Sequence, residues 1–375
     1  MAFRHNGALL DTGLALWFPG PASVTGEDLA ELHVHGGRAV LAAMLAALGD
    51  IDGLRVAEAG EFTRRAFANG RIDLAEAEGL ADLLAAETEG QRQAALALAG
   101  GALGRMVDAW QRSLLDAAAA VEAALDFSDE DDVDSGAASR SMATIRALAT
   151  EIAEMLANPP AERLRDGVVT VLAGPPNAGK SSLFNALVDR DAAIVSPLAG
   201  TTRDRIEAPV ALSGLPFLFV DTAGLRESQD EIELLGVERT NQAVREADII
   251  LWLGDADDCP EGAILVAAKA DVQADTRPGL VVSAKTGTGL PALRALLAER
   301  AAALLPKPGS LALNLRHRMI LADVLTALDA AAAEADLLVQ AEQLRIARAA
   351  LDRMTGRAGV EDMLDALFGR FCIGK

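Results

Sequence analysis

The chain has 375 residues, 51% of them hydrophobic, and a formal net charge of −21. This length allows two or three domains, each with a core of its own. The negative charge excludes a general nucleic-acid coat protein, so any RNA contact would have to be local or shared with a partner. The two cysteines, Cys259 and Cys372, exclude a disulfide framework. We therefore expect a cytoplasmic protein without a signal peptide or a membrane span.

The hydrophobic pattern divides the chain into four segments. Residues 1–71 mix short apolar runs with turn residues, which predicts a small α+β unit. Residues 72–165 have the spacing of helices, and the same spacing returns in residues 306–375. In residues 166–305 strands alternate with helices, which predicts a parallel α/β sheet. The expected fold is multidomain, with a P-loop α/β domain inserted into an all-α helical domain and preceded by an α+β domain.

A glycine-rich loop follows the first predicted strand of the α/β domain. Between the apolar run Val168–Ala173 and a helix beginning at Ser182 stands Gly174-Pro-Pro-Asn-Ala-Gly-Lys-Ser181. This is GxxxxGK[ST] in the strand–loop–helix context that a P-loop needs, and the alternative is an ordinary glycine-rich turn. Loop amides would hold phosphate oxygens, Lys180 would bring charge to the terminal phosphates, and Ser181 would offer its hydroxyl to Mg²⁺. The predicted phosphate-binding residues are Asn177, Ala178, Gly179, Lys180, Ser181 and Ser182.

Two later loops contain residues expected to respond to the γ-phosphate. In Asp221-Thr-Ala-Gly224 the carboxylate could hold Mg²⁺ through water, and the N–H of the last glycine could approach the γ-phosphate. Gly200-Thr-Thr-Arg-Asp204 would be a mobile loop that contributes a threonine to Mg²⁺. Ordering of both loops by the γ-phosphate is the usual switch of such proteins. The predicted residues are Thr202 in one loop and Asp221, Thr222, Ala223 and Gly224 in the other.

Two more loops favour guanine over adenine. Ala268-Lys-Ala-Asp271 follows an apolar strand, and Ser283-Ala-Lys285 follows the next one. The Asp271 carboxylate can accept two hydrogen bonds from guanine N1–H and its amino group, and adenine lacks this donor pair. Alone, Lys-x-Asp would be better explained as a surface turn, but here it follows the phosphate motifs in order. The predicted base-binding residues are Lys269, Asp271, Ser283, Ala284 and Lys285.

Further segments resemble the MnmE/TrmE family of tRNA-modification GTPases, within the TrmE–Era class. The ending Phe371-Cys-Ile-Gly-Lys375 looks like that family's terminal Cys-Ile-Gly-Lys signature. Glu233 and Gly236, after Asp221-Thr-Ala-Gly-Leu-Arg-Glu227, fit its second switch. Its folate-binding and hinge segments resemble Trp17-Phe-Pro-Gly-Pro21, Thr25-Gly-Glu-Asp28, His35-Gly-Gly37, Gly60-Glu-Phe-Thr63 and residues 65–74. The resemblance covers nearly the whole chain in the right order.

The resemblance implies a homodimer whose N-terminal domain binds a tetrahydrofolate derivative. It also implies a heterotetramer with an MnmG-type flavoprotein that carries FAD. Such a complex would act at the tRNA anticodon, placing a 5-carboxymethylaminomethyl or aminomethyl group on the wobble uridine. The folate would supply the one-carbon unit.

The resemblance also implies a potassium-activated GTPase. Leu225 follows Gly224 where a Ras-like enzyme has its water-orienting glutamine, so another group and a cation are needed. Glu233 matches the family's catalytic glutamate, although alone it would be an exposed acid in a charged segment. Asn177 matches a potassium ligand, and its alternative is a loop-capping amide. The implied potassium ligands are Asn177, Ser196, the Leu198 carbonyl and Thr201.

The same resemblance implies a folate site and a reactive cysteine. Glu31, Arg71 and Lys375 match folate-contacting positions, and the alternative for the first two is a solvated surface charge. Cys372 matches a cysteine needed for modification, and its alternative is a small apolar residue in a docked tail. His33 and His35 are too few for a metal site, so packing or hydrogen bonding is expected.

Two of the departures from the family bear on binding. The family begins with about 50 further residues, and loss of a strand there would expose a sheet edge, so we expect weaker folate binding and dimerisation. Ala268 replaces an asparagine that bonds the base, which should weaken nucleotide binding by about 1–3 kcal/mol if a buried partner is left unpaired. An Era-like regulatory GTPase of ribosome assembly and a degenerate GTPase scaffold are the remaining alternatives.

Overall fold

The computed structural model describes residues 1–126, 135–188, 207–221, 242–272, 278–356, 367–369 and 371. Within those ranges, the side chains of residues 126 and 135–139 are not described. None of the helices in this described part is long and apolar enough to cross a membrane.

The first part of the chain forms two hairpins and two helices. Strands β1 (Ala2–His5) and β2 (Ala8–Thr12) pair antiparallel, and so do β3 (Leu14–Phe18) and β4 (Leu29–His33). Asn6 and Gly7 join the first pair with φ of 49° and 79°, as a tight hairpin turn requires. Helices α1 (Arg38–Gly49) and α2 (Glu61–Ala68) follow. This is the expected α+β composition.

Six long helices flank the inserted domain along the sequence. Before it come α3 (Leu74–Ala85), α4 (Glu89–Ala99), α5 (Ala102–Asp126) and α6 (Ser135–Ala157). After it come two more helices, which we label α10 (Leu315–Ala333) and α11 (Leu337–Thr355).

These flanking helices share one hydrophobic core. Leu114 and Ile152, from before the inserted domain, pack in it with Leu321 and Leu344, from after it, and all four are fully buried. Reciprocal capping boxes set where three of the helices begin, at Asp73, Thr88 and Asn314. The insertion of an α/β domain into a helical domain is thereby confirmed.

The inserted domain is a six-stranded sheet flanked by helices. Its elements are α7 (Ala161–Asp166), β5 (Val168–Ala173), α8 (Lys180–Val188), β6 (Glu207–Leu212), β7 (Leu215–Asp221), β8 (Ile249–Trp252), β9 (Ile264–Ala267), β10 (Leu280–Val281) and α9 (Leu290–Leu304). The strand order is β10-β9-β8-β5-β7-β6. Strand β5 lies between β7 and β8, so the loop after β5 begins at the middle of the sheet.

One edge of the sheet is antiparallel, which the prediction of a parallel sheet missed. Strand β6 pairs antiparallel with β7 through the turn Ser213–Gly214, whose φ values are 53° and 79°. A small polar residue and a glycine between two apolar runs is a hairpin signal. The two-residue connection is too short for a parallel crossover, so the edge strand runs the other way.

The last described residues pack where the α+β unit joins the helices. Phe368 and Phe371 are buried with Leu74, and the Arg64 guanidinium lies 5.3 Å from the centre of the Phe368 ring. Gly60, with φ of 69°, approaches so closely that an added Cβ would lie 2.2 Å from the Phe368 carbonyl oxygen. The segment around Phe368 is therefore fitted against the backbone that begins α2.

A buried charged cluster joins three helices of the helical domain. Glu78 of α3 accepts hydrogen bonds from Arg316 Nε at 2.8 Å and Nη2 at 2.7 Å, and its carboxylate lies 2.8 Å from His317 Nε2. Arg316 Nη1 also donates to the carbonyls of Arg353 and Met354 in the last turn of α11, both at 3.2 Å. His317 is fully buried, and burial is the main cause that lowers its pKa. A neutral His317 that donates Nε2–H to Glu78 fits this site, because Nδ1 accepts the Asn314 N–H at 3.4 Å.

Candidate nucleotide-binding site

The predicted phosphate loop lies between the central strand and a helix. It leaves the carboxyl end of β5, and α8 begins at Lys180. Asn177 has φ of 60° and Gly179 has φ of 104°, a left-handed backbone that bends the loop back toward the helix. An added Cβ on Gly174 would lie 3.1 Å from the Leu253 carbonyl carbon, so the loop also passes close to the end of β8. The amino end of α8 therefore opens above the sheet, where backbone N–H groups favour an anion.

Lys180 is held over the loop rather than projecting into solvent. Only 6% of the residue is exposed, and its Nζ donates to the carbonyls of Gly174 at 2.9 Å and Pro175 at 2.8 Å. Ser181 and Ser182 are exposed in the first turn of α8. The structure thus combines a positive charge, two hydroxyls and a helix amino terminus at one place. That combination can bind a polyphosphate.

Asp221 lies next to this loop on the neighbouring strand. It is the last residue of β7, is 5% exposed, and pairs in register with Leu172 of β5. Carboxyl ends of adjacent parallel strands meet at the same edge of a sheet, as in other open α/β folds that bind ligands there. The Asp221 carboxylate and the Ser181 hydroxyl are oxygen ligands of the kind that Mg²⁺ prefers.

The predicted base-binding loops are tied to each other. Ser283 is fully buried, and its Oγ donates to Asp271 Oδ1 at 2.8 Å while it accepts the Thr286 N–H at 3.1 Å. The Ala270 N–H donates to the Val282 carbonyl at 3.2 Å. Because Oδ1 of Asp271 accepts from Ser283, the second carboxylate oxygen is the one that can accept hydrogen bonds from a base. Ala284 is half-buried and Lys285 is exposed beside it.

A contact that the sequence reasoning missed joins the base side to the phosphate side. Lys269 has φ of 62°, and its Nζ donates to the Asn177 carbonyl of the phosphate loop. Ala268 is 7% exposed, and its Cβ would lie 3.7 Å from a Cβ added to Gly179. The long separation between these residues hides the contact in the sequence, although the scarcity of lysine in an arginine-rich chain was a signal. The predicted phosphate and base residues therefore converge at one edge of the sheet.

The predicted folate residues lie on separate elements of the α+β unit. Glu31 is exposed on β4 and pairs with His33 Nε2 at 3.0 Å, and Arg71 is exposed after the end of α2. His35 Nδ1 lies 2.9 Å from Asp11 Oδ1, so both predicted histidines have carboxylate partners. The described residues contain no group of three or more histidine, cysteine, aspartate or glutamate side chains that could hold a metal ion. The expected hydrogen-bonding role of these histidines agrees with this geometry.

A charged cleft that sequence reasoning did not find lies beside α2. Its lining includes Glu27, Arg55, Glu61 and Arg65. Glu61 receives Arg55 Nη1 at 2.8 Å and Arg65 Nη2 at 2.7 Å, and Arg65 also reaches Glu27 at 2.9 Å. Hydrogen bonds from Arg55, Glu58 N–H and Arg65 lower the pKa of Glu61 to about 2. The sequence shows charges of opposite sign within residues 55–65, but it does not show that they pair across a cleft.

The remaining predicted site residues cannot be placed. They lie outside the described part of the chain and are Ser196, Leu198, Thr201, Thr202, Thr222, Ala223, Gly224, Glu233, Cys372 and Lys375.

Comparison with known proteins covers nearly the whole chain. A family model described as the MnmE helical domain matches residues 74–372, and one described as the GTP-binding protein TrmE N-terminus matches residues 1–71. The chain is 59% identical to the tRNA modification GTPase MnmE of Rhizorhabdus wittichii, over 99% of this chain and 84% of that protein. The proteins of the same name from Erythrobacter litoralis and Zymomonas mobilis are 57% and 50% identical, each over 99% of this chain and 88% of the relative.

Proposed function

This chain belongs to the MnmE/TrmE family of tRNA modification GTPases, and from that membership we propose how it binds and hydrolyses GTP. The observation that carries the proposal is the convergence of Lys180, Asp221 and Asp271 at the carboxyl edge of one sheet. A triphosphate on the amino end of α8 would place its guanine beside Asp271, whose outer oxygen accepts from N1–H and the amino group. Hydrolysis gives GDP and phosphate, since water bonds to the γ-phosphorus and the bridging oxygen leaves with the β-phosphate.

Mg²⁺ fits the residues at the phosphate edge. Ser181 and Asp221 would hold it, with Thr202 as a further ligand, and the ion would neutralise charge between the β- and γ-phosphates. Lys180 binds the terminal phosphates, for which its Nζ must exchange the Gly174 and Pro175 carbonyls for phosphate oxygens. Glu233 is proposed to position the attacking water. Asn177 presents a polar side chain from a left-handed loop position and is proposed as a potassium ligand with Ser196, Thr201 and the Leu198 carbonyl.

The potassium proposal is tested by GTP hydrolysis in equal concentrations of KCl and NaCl. We expect faster hydrolysis in KCl, and loss of that stimulation in Asn177→Gly, which keeps the left-handed backbone but removes the amide. Asn6→Gly is the matched control, because Asn6 also has positive φ and lies in a surface hairpin. Equal rates of the unaltered chain in both salts would contradict the potassium site while leaving GTP hydrolysis intact. Glu233→Ala should be slow in both salts.

We further propose that the α+β unit binds a tetrahydrofolate derivative and that the chain acts as a homodimer with an FAD-containing, MnmG-type flavoprotein. Support comes from family membership and from the exposed Glu31 and Arg71. A carboxylate can pair with the amino and N–H edge of a pterin, and an arginine can bind a glutamate tail. Lys375 and Cys372 are proposed to complete the site for modification of the tRNA wobble uridine.

Folate binding is tested by titrating 5-formyltetrahydrofolate into the purified chain. Glu31→Gln and Arg71→Gln should each weaken binding, because each removes a charge while keeping the side-chain length similar. His33→Gln removes the hydrogen-bond partner of Glu31 and keeps the carboxylate, so it is the control. Unchanged affinity in both charge variants would refute the assignment of these two residues.

A further inference from the structure

The α/β domain is attached to the helices by two segments that lie against each other. The chain enters it through α7 and leaves it through residues 305–314. The Ala161 N–H donates to the Leu313 carbonyl at 2.9 Å, and the Leu315 N–H donates to Glu162 Oε1 at 2.6 Å. Arg318 donates to the carbonyls of Leu156 and Asn158. Entry and exit are therefore bound as one unit, and α7 is part of it.

This unit is firmly fixed to the helical domain. Gln91 Nε2 of α4 donates to the Leu164 and Arg165 carbonyls at the end of α7, at 2.9 and 3.2 Å. Next to the Leu315–Glu162 contact, Arg316 enters the buried cluster with Glu78 and reaches the last turn of α11. A movement of α7 would therefore displace α4 directly and α11 through Arg316.

On its other side α7 contacts the sheet through Leu164, which is buried in the hydrophobic core of the α/β domain, and through an ion pair. Arg163 Nε donates to Asp248 Oδ1 at 2.8 Å, and Asp248 Oδ2 accepts the Val169 N–H at 3.1 Å. Asp248 also donates its own N–H to the Val169 carbonyl at 2.9 Å. It lies between helical residues 242–246 and strand β8. The carboxylate thus links α7 to the base of β5 and to the segment that follows the predicted second switch.

The Arg163–Asp248 ion pair and the buried charged cluster around Glu78 differ in how easily they can open. The Arg163 side chain is 38% exposed, whereas Asp248, at 12%, is as buried as Arg316 and Glu78, at 12% and 13%, and His317 is fully buried. A part-exposed ion pair contributes little to stability and can break without unfolding. Separation of the buried cluster would leave charges without partners in the interior. The Arg163–Asp248 pair is therefore a polar contact of α7 that can change while Leu164 and the helical side of α7 stay in place.

We propose that the Arg163–Asp248 pair transmits the state of the nucleotide site to the helical domain, and that Arg163 is a positioning residue for tRNA modification. The inference rests on the proposed function, because it concerns how hydrolysis of GTP is coupled to the modification. It assigns this coupling to a specific contact at the end of the sheet opposite to the nucleotide site. Asp248 precedes β8 and bonds Val169 near the start of β5, whereas the phosphate loop follows the carboxyl end of β5.

The test compares two rates in one mixture of full-length chain, flavoprotein partner, tRNA, folate and GTP. For Arg163→Ala we expect GTP hydrolysis within about twofold of the unaltered chain and a fall in tRNA modification of about tenfold, a size typical of coupling between sites. Asp248→Asn keeps an oxygen for the Val169 N–H and should lower tRNA modification to the same extent. The double variant should modify tRNA no more slowly than either single variant. Arg163→Lys should recover part of the modification, since a cation is restored.

Arg165→Ala is the matched control. Arg165 lies on the same helix, two residues further, and pairs with its neighbour Asp166 at 2.8 Å rather than with the sheet. It should leave both rates unchanged. The proposal is overturned if Arg163→Ala lowers both rates in parallel, lowers neither, or acts like Arg165→Ala.

A second measurement separates this inference from the proposed function. Amide hydrogen exchange in α4 and α11 is compared with GDP and with a non-hydrolysable GTP analogue, without tRNA or folate. The unaltered chain should show a nucleotide-dependent difference that Arg163→Ala loses. If the unaltered chain modifies no tRNA, the proposed function fails but this exchange difference still decides the inference. If the exchange difference persists in Arg163→Ala, the Arg163–Asp248 pair does not transmit the nucleotide state to the helices.

Discussion

Replacement of Glu78 by glutamine tests whether the buried charged cluster stabilises the helical domain. The change keeps the shape of the side chain and removes its charge. It leaves the Arg316 guanidinium, which now has Glu78 oxygens at 2.7 and 2.8 Å, without an anionic partner. We expect the helical domain to become markedly less stable, because a buried cation would face only neutral carbonyl, amide and imidazole groups.

The size of the effect follows from the pKa of Glu78. Burial acts to raise that pKa, but hydrogen bonds from His317 and Arg316 outweigh it and lower the pKa from 4.5 to about 2. A difference of this size corresponds to about 3 kcal/mol of folding free energy. Removal of one partner from a buried pair typically costs about 3–5 kcal/mol. Both arguments predict a loss of about 3 kcal/mol for Glu78→Gln at neutral pH.

The pH dependence gives a second check with a definite sign. The folded-state pKa of Glu78 lies below the unfolded value, so its contribution is complete above about pH 4.5 and is lost as pH falls toward 2. The stability difference between the unaltered chain and Glu78→Gln should therefore shrink in that window. Protonation of His317 also costs stability in acid, because burial lowers its folded-state pKa from 6.5. That cost is larger in Glu78→Gln, since Glu78 acts to raise the His317 pKa.

The assay is urea unfolding followed by the helical signal, at several pH values. The α/β domain can unfold separately, so each transition is fitted on its own. Glu89→Gln is the matched control, because the pKa of Glu89 is also lowered to about 2, chiefly by Arg92, although this pair lies on the surface. Solvent screens such a pair, and its loss should hardly change stability. A change below about 1 kcal/mol in Glu78→Gln would refute the reasoning, since surface pairs reach that much.

Three further predictions concern the nucleotide site and the C-terminal segment. Lys180→Ala should abolish detectable binding of a fluorescent GTP analogue while circular dichroism stays the same, because the ammonium is the buried cation of the loop; retained affinity would refute its role. Asp271→Asn should exchange preference for GTP into preference for XTP in competition titrations, because an amide can donate to the xanthine 2-carbonyl; unchanged selectivity would contradict the base assignment. Gly60→Ala should lower the thermal midpoint by several degrees, equivalent to about 1–3 kcal/mol of backbone strain, since its Cβ would meet the Phe368 carbonyl; an unchanged midpoint would show that the segment can shift freely.

Local motifs made much of the nucleotide site predictable. The phosphate loop could be located because its chemistry requires particular residues at fixed spacing, directly after an apolar strand. Asp221, Asp271 and Ser283 followed, since each ends or follows a strand whose carboxyl end must lie at the same edge. The insertion of the sheet into a helical domain was also visible from the change of hydrophobic period.

Contacts between distant segments were not predictable from the same information. Glu78 and Arg316 are 238 residues apart, and each is unremarkable on its own amphipathic helix. The Lys269 contact to the Asn177 carbonyl involves a main-chain atom, which leaves no mark on residue type. The antiparallel β6 strand had a local signal in Ser213–Gly214, but the expectation of alternating strands and helices overrode it.

The shared helical core has a consequence for synthesis of the protein. Leu114 and Ile152 emerge from the ribosome before the α/β domain, whereas their partners Leu321 and Leu344 emerge after it. Domains generally fold as units during translation. The α/β domain can thus complete its own core while the first four long helices still expose an apolar face. A nascent chain that has emerged from the ribosome as far as Leu305 should therefore resist protease in the α/β domain and remain cleavable in α5. It should depend on chaperones until α10 and α11 emerge.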